Sequence, residues 1–386
     1  MKARKVVLVF VGWYLPGHKS GGPVKTLANL IESTHDEFEY RVVTRDRDLG
    51  DATAYPNADP AAWRQVGRAQ VRYISPGWKA IGQIRAVLRD THYDVLYLNS
   101  FFSLVYSLLP QWLNAGTGRP VVLGPRGQFS SGALELKPRR KRLFIRFYRW
   151  LGWQKRVLWQ ASTGHEKQDI LAAYGEGVDI FEAEDIATRQ YASHLPGRND
   201  GALKAVFLSR LSPKKNLDYA LNVLGATRCP VDYDIYGPIE DQKHWTHCES
   251  LIRSLPDNIR VTTKGTLASE EVIDTLSRYD VFFFPTKGEN FGHVIAEALC
   301  AGLPLLIADT TPWRKLEANG VGWDLPLTDP GKFARKLAEL YEMSPERHAR
   351  LRQDVIAWAK DRFERNEAQL CNRNMFNHAL KTQGIS

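Results

Sequence analysis

Four charged side chains carry the strongest chemical signal in the sequence: Arg210, Lys215, Glu289 and Glu297. Arg210 and Lys215 lie in SRLSPKKNL, directly after an apolar run ending near Ser209. A strand ending there, with a helix beginning near Asn216 or Leu217, sets two cations at a strand's carboxyl end, an arrangement suited to a diphosphate. Glu289 and Glu297 lie in KGENFGHVIAEALCAGLP, which follows the apolar run DVFFFPT. That stretch reads as a strand, a glycine-bearing turn and a helix. The first amides of such a helix have no partners and its dipole favours negative charge, so the turn suits an anion. Two carboxylates beside an anion are poor ligands for it. They suit the hydroxyl-rich flanks of a ligand whose centre is phosphate, the make-up of a nucleotide-sugar.

Secondary candidates lie in the first half of the chain. GHKSGGP (Gly17–Pro23) falls between a first strand and a helix starting near Val24, where Gly21 and Gly22 permit close backbone approach to a ligand. His18 in the same loop is an acceptor-side candidate. Arg126, in GPRGQ, sits just past a strand's carboxyl end and reads as a ligand-facing residue, with a structural salt bridge as the alternative. His293 at the helix start caps the helix or touches the ligand. The Asp232–Tyr233–Asp234 triplet lies in a strand-like run, where alternation puts both carboxylates on one face, and it is not read as a metal site. No metal is expected. His244 and His247 read as a solvated surface pair.

Composition narrows the classes. At 386 residues the chain is too long for one ordinary core, and two domains are expected. Hydrophobic content of 44% and charged content of 25% are those of a soluble globular protein, and no window approaches the ~18–20 apolar residues of a membrane span. The N-terminal run MKARKVVLVFVGWYLPG reads as a first strand rather than a signal peptide. The cysteines Cys229, Cys248, Cys300 and Cys371 are scattered without a C-x-x-C pair, which fits a reducing, cytoplasmic location. The net charge of +9 is local: Lys137, Arg139, Arg140, Lys141, Arg142, Arg146, Arg149, Lys155 and Arg156 occur with no intervening acid. A general nucleic-acid surface is therefore not indicated.

Apolar β-branched runs alternate with helical patterns from end to end, which implies parallel sheets covered on both faces. Strands are predicted at Lys5–Val11, Tyr40–Thr44, Asp94–Asn99, Pro120–Gly124, Ala202–Ser209, Tyr233–Tyr236, Ile259–Thr263, Asp280–Pro285 and Pro304–Ala308. Helices are predicted at Val24–Glu32, Ile81–Arg89, Leu217–Leu224, Glu270–Arg278 and Val294–Ala301, with a helical C-terminal region. The rhythm breaks over 182–201, a linker candidate. The expected fold class is α/β, with doubly wound domains at 1–181 and 202–360 and a helix at 361–386 packing back on the first.

Together these segments resemble the retaining, group 1 glycosyltransferases of family four, which have the GT-B fold of two Rossmann-like domains facing across a cleft. Arg210 and Lys215, separated by four residues, match that family's diphosphate-binding pair, and Glu289 and Glu297 match its E-x7-E signature. The resemblance implies that Glu289 contacts the donor sugar and Glu297 the ribose. It also implies donor contacts for Gly21, Gly22, Asn290, Phe291, Gly292 and His293. VVLGPRGQFSSGALELKPRRKR (Val121–Arg142) is similar to a subgroup from bacterial polysaccharide gene clusters. Many relatives carry a histidine or an acid near the position of Arg126, so the acceptor side differs here. The implied activity is metal-independent transfer from a nucleoside-diphosphate sugar to a glycan or lipid-linked acceptor, without a cofactor. A sugar-nucleotide epimerase of the same fold, or a non-catalytic glycan-binding protein, is the alternative. A nicotinamide oxidoreductase is disfavoured because neither domain opens with G-x-G-x-x-G.

The segment RRKRLFIRFYRWLGWQKRVLW, from Arg139, combines arginines with apolar residues at Leu143, Phe147, Trp150 or Leu151, and Leu158. It reads as an amphipathic helix suited to an anionic membrane surface, with packing on the first sheet as the alternative. Peripheral attachment to the inner face of the cytoplasmic membrane is the corresponding expectation.

Overall fold

A computed structural model describes residues 4–382 apart from 18, 57, 136–137 and 199–200. The chain divides into two compact units, Met1–Ile186 with Asn366–Ser386, and Ala187–Arg365.

The first unit runs β1 (Lys5–Phe10), α1 (Gly22–Thr34), β2 (Phe38–Arg45), β3 (Arg64–Val66), β4 (Ala69–Ile74), α2 (Lys79–Asp90), β5 (Val95–Leu98), α3 (Leu109–Asn114), β6 (Val121–Leu123), α4 (Ser131–Glu135), α5 (Pro138–Trp150), β7 (Leu158–Ala161), α6 (Gly164–Tyr174) and β8 (Asp179–Glu182). Its eight strands lie in the order β3-β4-β2-β1-β5-β6-β7-β8, and every pairing is parallel except β3 with β4. Strand periodicity distributes the apolar residues to both faces. Leu8, Phe10, Leu96, Leu98 and Trp159 face one core; Val7, Val9, Val42, Val95 and Tyr97 face the other.

The second unit runs β9 (Leu203–Leu208), α7 (Leu217–Gly225), β10 (Val231–Tyr236), α8 (Gln242–Arg253), β11 (Ile259–Gly265), α9 (Val272–Leu276), β12 (Val281–Phe284), α10 (His293–Cys300), β13 (Leu305–Ala308), β14 (Gly322–Leu325), α11 (Pro330–Glu342) and α12 (Pro345–Glu364). Its six-stranded parallel sheet has the order β11-β10-β9-β12-β13-β14. β12 and β13 are buried at every residue, and β9 at all but Lys204 and Leu208, as expected for a sheet covered on both sides. A final helix, α13 (Glu367–Thr382), belongs to the first unit. Phe376 sits 5.3 Å from the rings of both Phe38 and Tyr97, and Arg373 pairs with Asp36 at 2.6 Å.

Several elements differ from the sequence expectation for local reasons. Residues from Ala187 onward pack on the second unit instead of forming a free linker: the Ala192 amide donates to the Cys300 carbonyl, and Arg198 donates to the carbonyls of Leu340 and Tyr341. Arg72 and Gln70 interrupt the apolar run of β4, which conceals a strand whose alternate residues are buried. The basic segment does not continue as a helix to Leu158. Gly152 adopts φ 68° after α5, and Leu158 is buried in β7. The helix expected over Glu270–Arg278 is a 3₁₀ turn, Ser269–Glu271, leading into the five-residue α9.

Candidate active site

β9 and β12 are adjacent and parallel, so the loops leaving their carboxyl ends emerge on the same edge of the second sheet. Three hydrogen bonds brace these loops. Asn216, at φ 62° before α7, donates its side-chain amide to the Pro285 carbonyl at 2.8 Å. The Lys287 amide donates to the Lys214 carbonyl at 2.9 Å, and the Thr286 hydroxyl donates to the same carbonyl at 3.2 Å. The bracing sets Lys215 Nζ 2.6 Å from Glu289 Oε1, with side chains only 13% and 11% exposed. The Thr286 hydroxyl lies 3.2 Å from the same carboxylate oxygen. Lys215 also lies over the Phe284 ring at 5.7 Å.

Arg210, further along the β9 loop, pairs with Glu240 at 2.5 Å, the two side chains being 36% and 42% exposed. A pair this open contributes little to stability, so its guanidinium is available for a stronger anion. The loop holding Arg210 is fixed by Gly237, which ends β10 at φ 133°; a Cβ there would fall 1.8 Å from the Ser209 carbonyl oxygen. Gly237→Ala should therefore force the two loops apart. Left-handed strain alone costs about 1–3 kcal/mol. The variant should melt lower, read by thermal melting, and a titration with a nucleoside diphosphate should show weaker binding than that of the wild type; wild-type values for both would show that the close approach is not needed.

The turn before α10 is pinned by Trp313, whose Nε1 donates to the Phe291 carbonyl at 2.5 Å. Gly292 adopts φ 84° there, and a Cβ would press on Ile295 at 3.0 Å and on Glu289 Cγ at 3.3 Å. The Phe291 ring lies 5.4 Å from that of Trp313 and 4.8 Å from that of His293. Asn290 is half-buried beside Glu289. Glu297 is buried on α10; burial first, and then the Glu297 charge, push the Cys300 thiol well above its usual range. Lys215 and Glu289 are thus in direct contact and share the strand-end edge with the Arg210 loop. Glu240, Thr286, Asn216 and Gly237 complete the arrangement without having been singled out in the sequence.

In the first unit, Gly21 precedes α1 at φ 67°, Gly22 opens the helix and no side chain caps it. Lys19 in this loop pairs with Asp51 at 2.5 Å, and its amide donates to Asp48. His18 lies outside the described residues. Arg126 is engaged on every guanidinium nitrogen: it donates to Asn99, Ser162, Asp185, Tyr97 and Gln160, with 2.6 Å to Asp185. Arg126 and Asp185 are 6% and 4% exposed. This is the salt-bridge alternative for Arg126, and Asp185 extends it to α1 by accepting the Thr26 hydroxyl at 2.9 Å. Burial works against the Arg126 charge, but Tyr97, Asp185 and Glu166 outweigh it and hold its pKa above the ordinary value, while burial pushes Tyr97 up to about 12.

The remaining polar candidates lie on α8 and β10. His244 is buried rather than solvated: it lies in α8, 3.7 Å from Cys248 Sγ and 3.9 Å from Asp218, and burial lowers its pKa. His247 is exposed. Asp232 and Asp234 share one face of β10, while Tyr233 points into the core and donates to the Phe283 carbonyl. Asp234 accepts the Tyr279 hydroxyl at 2.7 Å and pairs with Lys264 at 3.4 Å. Among the described residues no three His, Cys, Asp or Glu side chains converge as a metal site.

Residues 194–358 match the sequence model of the family described as Glycosyl transferases group 1. No curated protein matches the chain. Among solved structures, Anabaena HepE in complex with UDP-glucose superposes with a TM-score of 0.70 at 16% identity, covering 97% of this chain and 99% of that one. Sucrose-phosphate synthase from Thermosynechococcus elongatus gives 0.69 at 14% identity over 97% and 99% of the two chains. The trehalose-6-phosphate synthase OtsA gives 0.70 at 10% identity over 98% and 99%. The fold is GT-B.

Proposed function

We propose that this chain, which through residues 194–358 belongs to the group 1 glycosyltransferases, moves a sugar from a nucleoside-diphosphate donor to a hydroxyl with retention of anomeric configuration. The observation that carries the reading is the largely shielded Lys215–Glu289 pair in the loops leaving the carboxyl ends of β9 and β12. An ammonium has three N–H donors, so Lys215 can hold Glu289 with one and a phosphate oxygen with another. Glu289, fixed by Lys215 and Thr286, retains lone pairs for sugar hydroxyls. Glu297 serves the ribose. As the anomeric bond breaks, negative charge grows on the departing diphosphate. Lys215, Arg210 and the amides around Asn290, Phe291, Gly292 and His293 stabilise that charge, and no divalent cation is required. Attack from the leaving-group face, with the departing phosphate accepting the hydroxyl proton, gives retention.

The UDP-glucose bound by HepE supports a uridine nucleotide donor of this class for the present chain. The similarity of Val121–Arg142 to polysaccharide-cluster enzymes supports a glycan or lipid-linked acceptor in bacterial surface polysaccharide synthesis, with a cytoplasmic site of action. A panel of UDP-, GDP- and ADP-sugars tests the reading. At 100-fold excess over Kd one donor should stabilise the protein by about 2.7 kcal/mol, roughly 5 °C or more in Tm, without added metal and in the presence of EDTA. A flat panel, or inversion at the anomeric carbon of the product, would overturn it.

A further inference from the structure

Helix α5 divides the basic-aromatic segment between two environments. Its inner side is embedded: the Phe144 ring lies 5.1 Å from Phe101 and 5.5 Å from Phe102, and the buried Tyr148 hydroxyl donates to Gln111 Oε1 at 2.9 Å. A second stripe, at i, i+4 and i+7, is left outside. Leu143, Phe147 and Trp150 are 68%, 46% and 78% exposed, and the rings of Phe147 and Trp150 stack at 6.0 Å. Arg139, Arg140, Arg142 and Arg146 are exposed around the same stripe, and no acid lies between Pro138 and Arg156. On α3, which supplies Gln111, Trp112 is also 61% exposed. Single exposed apolar residues are ordinary, but three in one helical stripe ringed by guanidinia are a surface of defined chemistry.

We infer that the outer face of α5 is an interfacial helix that docks this protein on an anionic lipid surface, with Leu143, Phe147 and Trp150 entering the headgroup boundary and the arginines pairing with phosphates. Charge complementarity selects this occupant. A second copy would bring the same unneutralised arginines against themselves, whereas an anionic headgroup layer neutralises them and accepts the apolar tips together. The embedded Phe144 and Tyr148 hold the helix flat on its unit. No helix of the described residues is long and apolar enough to cross a membrane, so this attachment would be peripheral. The inference is independent of the transfer reading and is tested without donor or acceptor.

Co-sedimentation of the full chain with vesicles of phosphatidylglycerol and phosphatidylcholine, against pure phosphatidylcholine, provides the test. Binding is expected to the anionic vesicles only, falling at least tenfold when salt is raised to ~0.5 M. Arg139→Gln with Arg142→Gln and Arg146→Gln should weaken it on the order of 100-fold, about 3 kcal/mol at ~1 kcal/mol per basic residue. A separate Leu143→Ser, Phe147→Ser, Trp150→Ser variant should abolish it while melting like the wild type, because these side chains are exposed. Failure to sediment with anionic vesicles, equal binding to neutral ones, or undiminished binding of both variants would overturn the proposal. A wild-type dimer that the serine variant dissociates, without vesicle binding, would assign the face to a second copy instead.

Discussion

Glu289→Gln is expected to lower kcat by roughly 10²–10³-fold while leaving the nucleotide part of donor binding largely intact. The side chain keeps its size and one oxygen but loses the charge that Lys215 contacts at 2.6 Å. Loss of one preorganised electrostatic contact in an enclosed site costs about 3–4 kcal/mol of transition-state stabilisation. Lys215→Met should be at least as harmful, because it releases Glu289 and, in the proposed mechanism, also removes a cation from the departing diphosphate. Since the two side chains form one unit, the double variant should lose far less than the product of the single losses. Both residues are mostly buried, so thermal melts must accompany the kinetics. Turnover within threefold of wild type for folded Glu289→Gln would remove the carboxylate from the chemistry. Donor hydrolysis or epimerisation without acceptor would keep the site but change the reaction.

The parts of this site that were legible in the sequence are those held by local pattern. β9 and β12 are apolar runs; Arg210, Lys215 and Glu289 sit in the loops that leave them and Glu297 on the helix that follows β12, so strand–loop–helix reasoning alone places them. What escaped the sequence depends on partners far away in the chain. Glu240 is thirty residues from the Arg210 it pairs with, and Asn216 reaches Pro285 sixty-nine residues on. Nothing at either end specifies its partner until β9, β10 and β12 are side by side. Gly237 carried a readable cue, a glycine closing a strand, but its reason is the Ser209 carbonyl of the neighbouring strand's loop. Helix α5 shows a different limit. Its sequence contains two apolar stripes about a quarter-turn apart, and periodicity cannot say which one the sheet takes; the structure buries Tyr148 and leaves Phe147 and Trp150 outside.

Arg126→Met separates the two roles that the sequence left open for that residue. As an acceptor contact its loss would raise the acceptor KM and leave the melt unchanged. The geometry favours a different outcome. Asp185 is 4% exposed, and removing the guanidinium leaves its carboxylate, together with the side-chain oxygen of Asn99, buried without its charged donor, while Gln160 keeps the Tyr97 hydroxyl at 2.5 Å. Breaking one side of such a pair costs about 3–5 kcal/mol, which for a unit of this size lowers Tm by roughly 10 °C. Adding Asp185→Asn removes the stranded charge, so the double variant should recover part of the loss even though it lacks two native side chains. Arg126→Lys keeps the charge, yet it cannot span five partners with one ammonium and should fall between wild type and Arg126→Met. Donor affinity should change little in all three, because Lys215, Arg210, Glu289 and Glu297, the contacts proposed for the donor, belong to the second unit, whereas Arg126 and Asp185 belong to the first. A Tm within 2 °C of wild type for Arg126→Met, with a raised acceptor KM, would return Arg126 to the acceptor side.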